Sequence, residues 1–231
     1  SSEQGVQNQV NSVDRYSNVA SGIDALVKII AINNVTINTF DDDGTNSGGQ
    51  ATATNFSPLF TTNDGVNPGY IDWEIKFVQT GTTTPVRSDF SVTATDIDGT
   101  DLGNGVTIVD YYGFAQNVSN TVQAGNNLDP IFTQGDYEIF RSAVTQDANG
   151  IFDIDHIAYI TYKYTSVFQV RSGSFPTGGY SNPRLVEFNF TQCLNQEFTN
   201  PVVTNRNADL AVTKTVDEAN PLENETINFS I

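Results

Sequence analysis

From Ile71 to Phe77 every second side chain is apolar. Ile71, Trp73, Ile75 and Phe77 fall on one parity and Asp72, Glu74 and Lys76 on the other. Successive side chains of a strand point to opposite faces, so this segment has the period of a half-buried antiparallel strand and not that of a helix. The same period recurs elsewhere. Phe90, Val92 and Ala94 alternate with Ser91, Thr93 and Thr95, and Val186, Phe188 and Phe190 share one side of RLVEFNF. IDALVKIIA from Ile23 and VTINTF from Val35 are β-rich runs separated by the turn signal Asn33-Asn34. VTIVDYYGF from Val106 is apolar on both faces and reads as a central strand. SNTVQAG, DYEIFRSAV, HIAYITYKY and SVFQVRSG complete the set, the last two as adjacent strands with a bend near Thr165. Roughly ten strands, with turn signals about every 8–15 residues and no convincing helix, predict an all-β fold: an antiparallel two-sheet sandwich, jelly-roll-like.

Charge narrows the partners. Ten Lys and Arg stand against 27 Asp and Glu, a formal net charge of −17. Phosphate binding needs a basic surface, so nucleic acid is excluded as an expected partner, and anionic lipid surfaces with it. An acidic field attracts cations, of which calcium is the common extracellular one; it also serves solubility alone. No run approaches the roughly 18 apolar residues of a membrane span, so no membrane insertion is expected. Aromatic residues make up 11% of the chain, too many for a disordered one. Cys193 is the sole cysteine and can form no internal disulfide, which is compatible with export without disulfides.

Residues 1–20 are polar and aperiodic and read as an N-terminal arm; their start, SSEQGVQNQV, has the look of a processed mature end or of an arbitrary cut in a longer chain. Residues 21–193 hold the sandwich, and 194–208 read as a polar linker. Residues 209–231 begin a fresh alternation with strand candidates at 209–216 and 225–231. Two strands bury no core of their own, so they open a second, incomplete domain or pair with a neighbouring copy by strand addition.

The segment DLAVTKTVDEANPLENETINFSI resembles the opening of an Ig-like repeat strung in tandem along large bacterial surface proteins. The likeness rests on the DLAVTKTV strand, the Asn-Pro before the turn and the NETINFSI strand, and it implies a stalk. NVASGIDALVKI, YIDWEIKFVQTGTTTPV, SVTATDIDG and SVFQVRSG more loosely resemble a β-sandwich module of secreted Bacteroidota proteins. That resemblance implies the outer part of a cell-surface adhesin or filament, exported by the type IX pathway, and carries no catalytic residues.

Chemistry is sparse. Asp96, Asp98 and Asp101 lie at the end of one strand, and Asp110 has inward parity on the next. Together they could converge on Ca²⁺, with backbone carbonyls completing six to eight ligands. The spacing is not that of an EF-hand, and Asp98-Gly99 could simply make a hairpin turn. Asp41-Asp42-Asp43-Gly44 is a second acidic loop, solvated or metal-binding. Alternation would put Asp153 and Asp155 on one face and His156 on the other, which suits a satisfied histidine at a sheet edge better than a metal site. Tyr111, Tyr112, Tyr159, Tyr162, Tyr164 and Tyr180 could stack on glycans or simply pack, whereas Trp73 belongs with the core. Asn34, Asn55, Asn117, Asn189, Asn224 and Asn228 begin N-x-S/T triplets, as chance allows in so Asn-rich a chain. No nucleophile elbow, phosphate loop or Cys/His cluster is present. The expectation is a non-catalytic, extracellular structural and adhesive module partnered by neighbouring copies or surface repeats. The alternative is a calcium-dependent carbohydrate-binding module.

Overall fold

The computed structural model describes residues 2–44, 55–115, 120–146, 153–189, 202–206, 215–216 and 229–230. In chain order the strands begin with β1 (Ser2–Gln4), β2 (Val13–Ala20), β3 (Ile23–Asn33), β4 (Val35–Thr39), β5 (Leu59–Thr62) and β6 (Gly69–Gln79). There follow β7 (Ser88–Thr95), β8 (Gly99–Asp101), β9 (Thr107–Ala115), β10 (Asn120–Ala124), β11 (Leu128–Gln134) and β12 (Tyr137–Ser142). After a short 3-10 turn at Ile154–His156 come β13 (Ala158–Thr165), β14 (Val167–Pro176), β15 (Arg184–Leu185) and β16 (Glu187–Asn189). β17 (Val202–Arg206), β18 (Thr215–Val216) and β19 (Phe229–Ser230) complete the described elements.

The main sheet has nine strands in the order β1-β2-β3-β6-β14-β9-β12-β11, with β8 added on β9. A second sheet of five runs β16-β7-β13-β10-β17, and a small sheet of three runs β15-β5-β4. The main and second sheets are antiparallel throughout and face each other across one core, so the fold is an all-β sandwich. Trp73, Ile75 and Phe114 come from one sheet and Val92, Ile160 and Phe188 from the other, all fully or almost fully buried. Aromatic edges weld the layers: the Phe56 and Trp73 rings meet at 5.0 Å and 87°, and Phe90 stacks on Tyr162 at 5.1 Å. The one polar atom of Trp73 is satisfied, its indole N–H donating to Ser172 Oγ at 2.9 Å. Among the described residues no helix is long and apolar enough to cross a membrane.

The alternation from Ile71 to Phe77 is realised as β6, with Trp73 buried and β3 and β14 on its flanks. β9 lies between β14 and β12, as its two apolar faces predict. Three expectations change. Val13–Ala20, read as part of an arm, is strand β2, with Val13 opposite Lys28 and Asp14 opposite Val27. Its period is hidden because the register shifts between Tyr16 and Ala20, where Asn18 takes a left-handed φ of 56°. The two strands meeting near Thr165 are not neighbours in one sheet. β13 pairs with β7 and β14 with β6, so the chain changes sheet there, through Tyr164 at φ 42°. Finally, Val202–Arg206, within the segment read as a linker, pairs along the whole of β10. β18 pairs with β19 (Thr215 opposite Ser230), but most of 209–231, like Cys193, lies outside the described residues.

Candidate functional site

The four acids singled out as cation ligands are partly gathered. Asp110 sits inside β9, fully buried and opposite Ser174 of β14, whose hydroxyl donates to Asp110 Oδ1 at 2.7 Å. Asp98 immediately precedes β8, which lies alongside β9, and it too is buried. Between them stands a residue that the sequence did not single out. Arg184, from β15 of the small sheet, donates from Nη2 to Asp98 Oδ1 at 2.6 Å and from Nε to Asp110 Oδ2 at 2.9 Å. A second contact from Nη2 also reaches Asp110 Oδ2. Its Nη1 donates to Thr100 Oγ1 at 3.0 Å. Burial works against the charge of Arg184, but the charge and hydrogen bonds of Asp110, and then Asp98, outweigh it and raise its pKa. The guanidinium therefore stands between two of the four proposed ligands.

Asp101 goes elsewhere. Its Oδ1 accepts from the Gly103 N–H at 2.7 Å, inside the hairpin turn where Gly103, Asn104 and Gly105 all take left-handed φ. That is the turn chemistry of Asp-x-Gly segments. Asp96 follows β7 with φ 61° and is partly buried. Burial first, then the charges of Asp98 and Asp110, push its carboxyl up to about 8, with Arg184 acting in the other direction. Among the described residues no three His, Cys, Asp or Glu side chains are arranged to hold a metal ion.

A second buried network lies at the β16–β7 edge. Glu187 is fully buried and accepts from Asn55 Nδ2 and from Ser57 Oγ, each at 3.0 Å. Asn189 Nδ2 donates to Asn55 Oδ1 at 2.8 Å. Two of the N-x-S/T asparagines, Asn55 and Asn189, are thus buried and spoken for. The acidic loop is pinned to the same stretch: Asp41 Oδ1 accepts from the Ser57 N–H at 2.8 Å, and Asp42 is buried.

The other candidates resolve simply. Asp153 caps the 3-10 turn, which brings its Oδ2 to 3.4 Å from Nδ1 of buried His156, so the two share a side where strand alternation would have parted them. Asn127 Nδ2 lies 3.3 Å from the other ring nitrogen. Of the six tyrosines, Tyr111, Tyr112, Tyr162 and Tyr180 are buried and Tyr159 is tied to Ser91 at 2.8 Å. Tyr164 alone among them is well exposed, at 71%. No continuous aromatic platform results from these six. On the outer face of the main sheet, the guanidinium of Arg171 lies between the rings of Tyr70 (3.6 Å) and Tyr137 (4.3 Å) and grips Asp72 at 2.6 and 2.8 Å. Arg171 and Asp72 are both buried, which makes this a packing clamp.

Neither a family model nor a curated protein matches the chain. Among solved structures it is similar to the adhesin domain of PrgB from Enterococcus faecalis, at 11% identity and a TM-score of 0.39, over 73% of this chain and 57% of that one. It is also similar to the same adhesin domain bound to DNA, at 13% identity and a TM-score of 0.38, over 73% of this chain and 61% of that one. The chain spans less than two thirds of either domain. Likeness of that degree decides neither fold nor ligand; the fold rests on the strand pairing described above.

Proposed function

We propose that this chain is a non-catalytic, extracellular structural and adhesive module of a bacterial surface protein. The observation that supports this reading is the commitment of its buried acids. Asp98 and Asp110 are ion-paired to Arg184, and Glu187 is held by Asn55 and Ser57. Carboxylates spent in this way tie distant segments of the chain together; they are not poised as an acid and a base facing a substrate. An antiparallel sandwich carries tension along its strand ladders and offers its end loops to the outside.

The test is direct. The purified chain, coupled to beads, is incubated with epithelial and bacterial cells, and in parallel with a panel of polysaccharides and peptides. The expected result is attachment or self-association without turnover. Turnover of a defined substrate that Asp98→Asn or Asp110→Asn abolishes, with the circular dichroism unchanged, would overturn the proposal. A labelled DNA duplex belongs in the same panel. With a charge of −17, no saturable binding is expected at physiological salt.

A further inference from the structure

At one pole of the sandwich β12 ends where β9 begins, with Arg141 opposite Tyr111, and β8 lies alongside the start of β9, with Thr100 opposite Ile108. An open groove of about 610 Å³ lies there. Thr100, Asp101, Leu102 and Gly103, from β8 and its hairpin, make one wall, and Thr145 and Gln146, just past β12, make the other. Its size falls within the roughly 300–1,000 Å³ usual for small-ligand sites.

Backbone contacts lock the two walls together. The Gly99 N–H donates to Gln146 O at 3.3 Å. A Cβ on Gly99 would lie 2.5 Å from Val144 O and 2.9 Å from Thr145 Cα, an approach that only glycine permits. The hairpin wall is closed by the Leu102 N–H on Val106 O and the Val106 N–H on Gly103 O, each at 3.0 Å. Arg184 holds the Thr100 hydroxyl at 3.0 Å. A groove built in this way exists before its ligand arrives and gives up little freedom on binding.

The lining narrows the ligand. Asp101 spends one carboxylate oxygen on the Gly103 N–H, and its other oxygen accepts from no described residue. The Thr145 hydroxyl and the Gln146 carboxamide likewise make no hydrogen bond to a described residue. Leu102, 58% exposed, adds an aliphatic patch. No Lys or Arg is among these six residues, so an anion would meet Asp101 and the field of a −17 chain with no base to receive it. A hard cation would find a single carboxylate. An extended peptide needs a run of free backbone, but β8 has three residues and its Gly99 N–H is already taken. A neutral, hydroxyl-rich molecule meets none of these objections. Its hydroxyls can donate to the carboxylate, exchange bonds with the carboxamide and the threonine hydroxyl, and leave a C–H face for Leu102.

We propose that this groove binds a neutral oligosaccharide without a metal, with Asp101, Thr145 and Gln146 as partners of its hydroxyls and Leu102 against its C–H face. The inference rests on the adhesive reading above and gives it a class of ligand.

The experiment is affinity electrophoresis of the full chain through mannan, dextran, xylan and β-glucan as neutral probes and hyaluronan and polygalacturonate as anionic ones, each with and without EDTA. The expected result is saturable retardation by at least one neutral probe, unchanged by EDTA, and none by the anionic pair. Asp101→Asn keeps an acceptor for the turn but removes the charge, and Thr145→Trp fills the groove. With circular dichroism unchanged, each should weaken binding by about tenfold or more. Val66→Ser, at an exposed apolar residue outside the groove, should change nothing. Retardation by no neutral probe, binding that both groove variants leave intact, loss of binding in EDTA, or preference for the anionic probes overturns the inference. Cell attachment retained in those cases would leave the adhesive reading standing by itself.

Discussion

At the scale of single residues, two tyrosine hydroxyls among the described residues work against the core. Tyr112 Oη and Tyr162 Oη are buried without a hydrogen-bond partner. An orphaned buried hydroxyl costs more than the methylene-like ring edge that would replace it. Tyr112→Phe or Tyr162→Phe should therefore leave stability unchanged or raise it by about 1 kcal/mol, read from urea midpoints. Asp96 carries a different strain, a left-handed backbone and a carboxyl raised from the ordinary 3.8 to about 8 by burial and by its acidic neighbours. The folded state then binds more protons than the unfolded one between those two values. Stability attributable to this group falls as pH rises through that window and stays low above it. Asn accepts the left-handed region and carries no charge. Asp96→Asn should stabilise the protein near pH 9, by at most about 5–6 kcal/mol, and have little effect near pH 4. Parallel pH profiles for variant and parent would refute the assignment.

At the scale of elements, what could be read in the sequence followed the hydrophobic period. β6, β7 and β9 bury one or both faces against a packed layer, so their patterns survive in the bare sequence. β2 does not announce itself, because its register slips at a left-handed asparagine and its buried residue is Asp14. The two keystones of the polar interior were invisible for another reason. Arg184 lies 74 residues from Asp110 and 86 from Asp98, and Glu187 lies 132 from Asn55. Strand order sets such partnerships, and no local spacing encodes it. The acids alone suggested a divalent cation, and the structure puts a guanidinium between two of them. Its role as a fastener of β8, β9 and β15 makes a sharp prediction. Arg184→Met takes away the guanidinium that buried Asp98 and Asp110 share, and should destabilise the fold by about 3–5 kcal/mol. The double change Arg184→Met with Asp110→Asn should recover part of that loss, which a purely steric role for Arg184 would not allow.

At the scale of the whole molecule, the acidic field draws cations to the surface, but the internal pairing of Arg184 with Asp98 and Asp110 forecasts indifference to chelation. Thermal unfolding in EDTA and in millimolar Ca²⁺ should agree within about 1 °C, beyond the small effect of ionic strength. A rise of several degrees in Ca²⁺ that Asp96→Asn abolishes would instead give the metal a place at this cluster. The long-range fastening also bears on how the chain is made. Asn55 and Ser57 wait for Glu187, and the β6–β14 pairing at the middle of the main sheet joins residues 99 apart, as Asp72 and Arg171 illustrate. Non-local pairing of this kind makes folding slow. A ribosome must release nearly all of the sandwich before its last closure can form. Through most of synthesis the nascent polypeptide thus lacks its final lock, and remains threadable by any translocation machinery that requires an open strand.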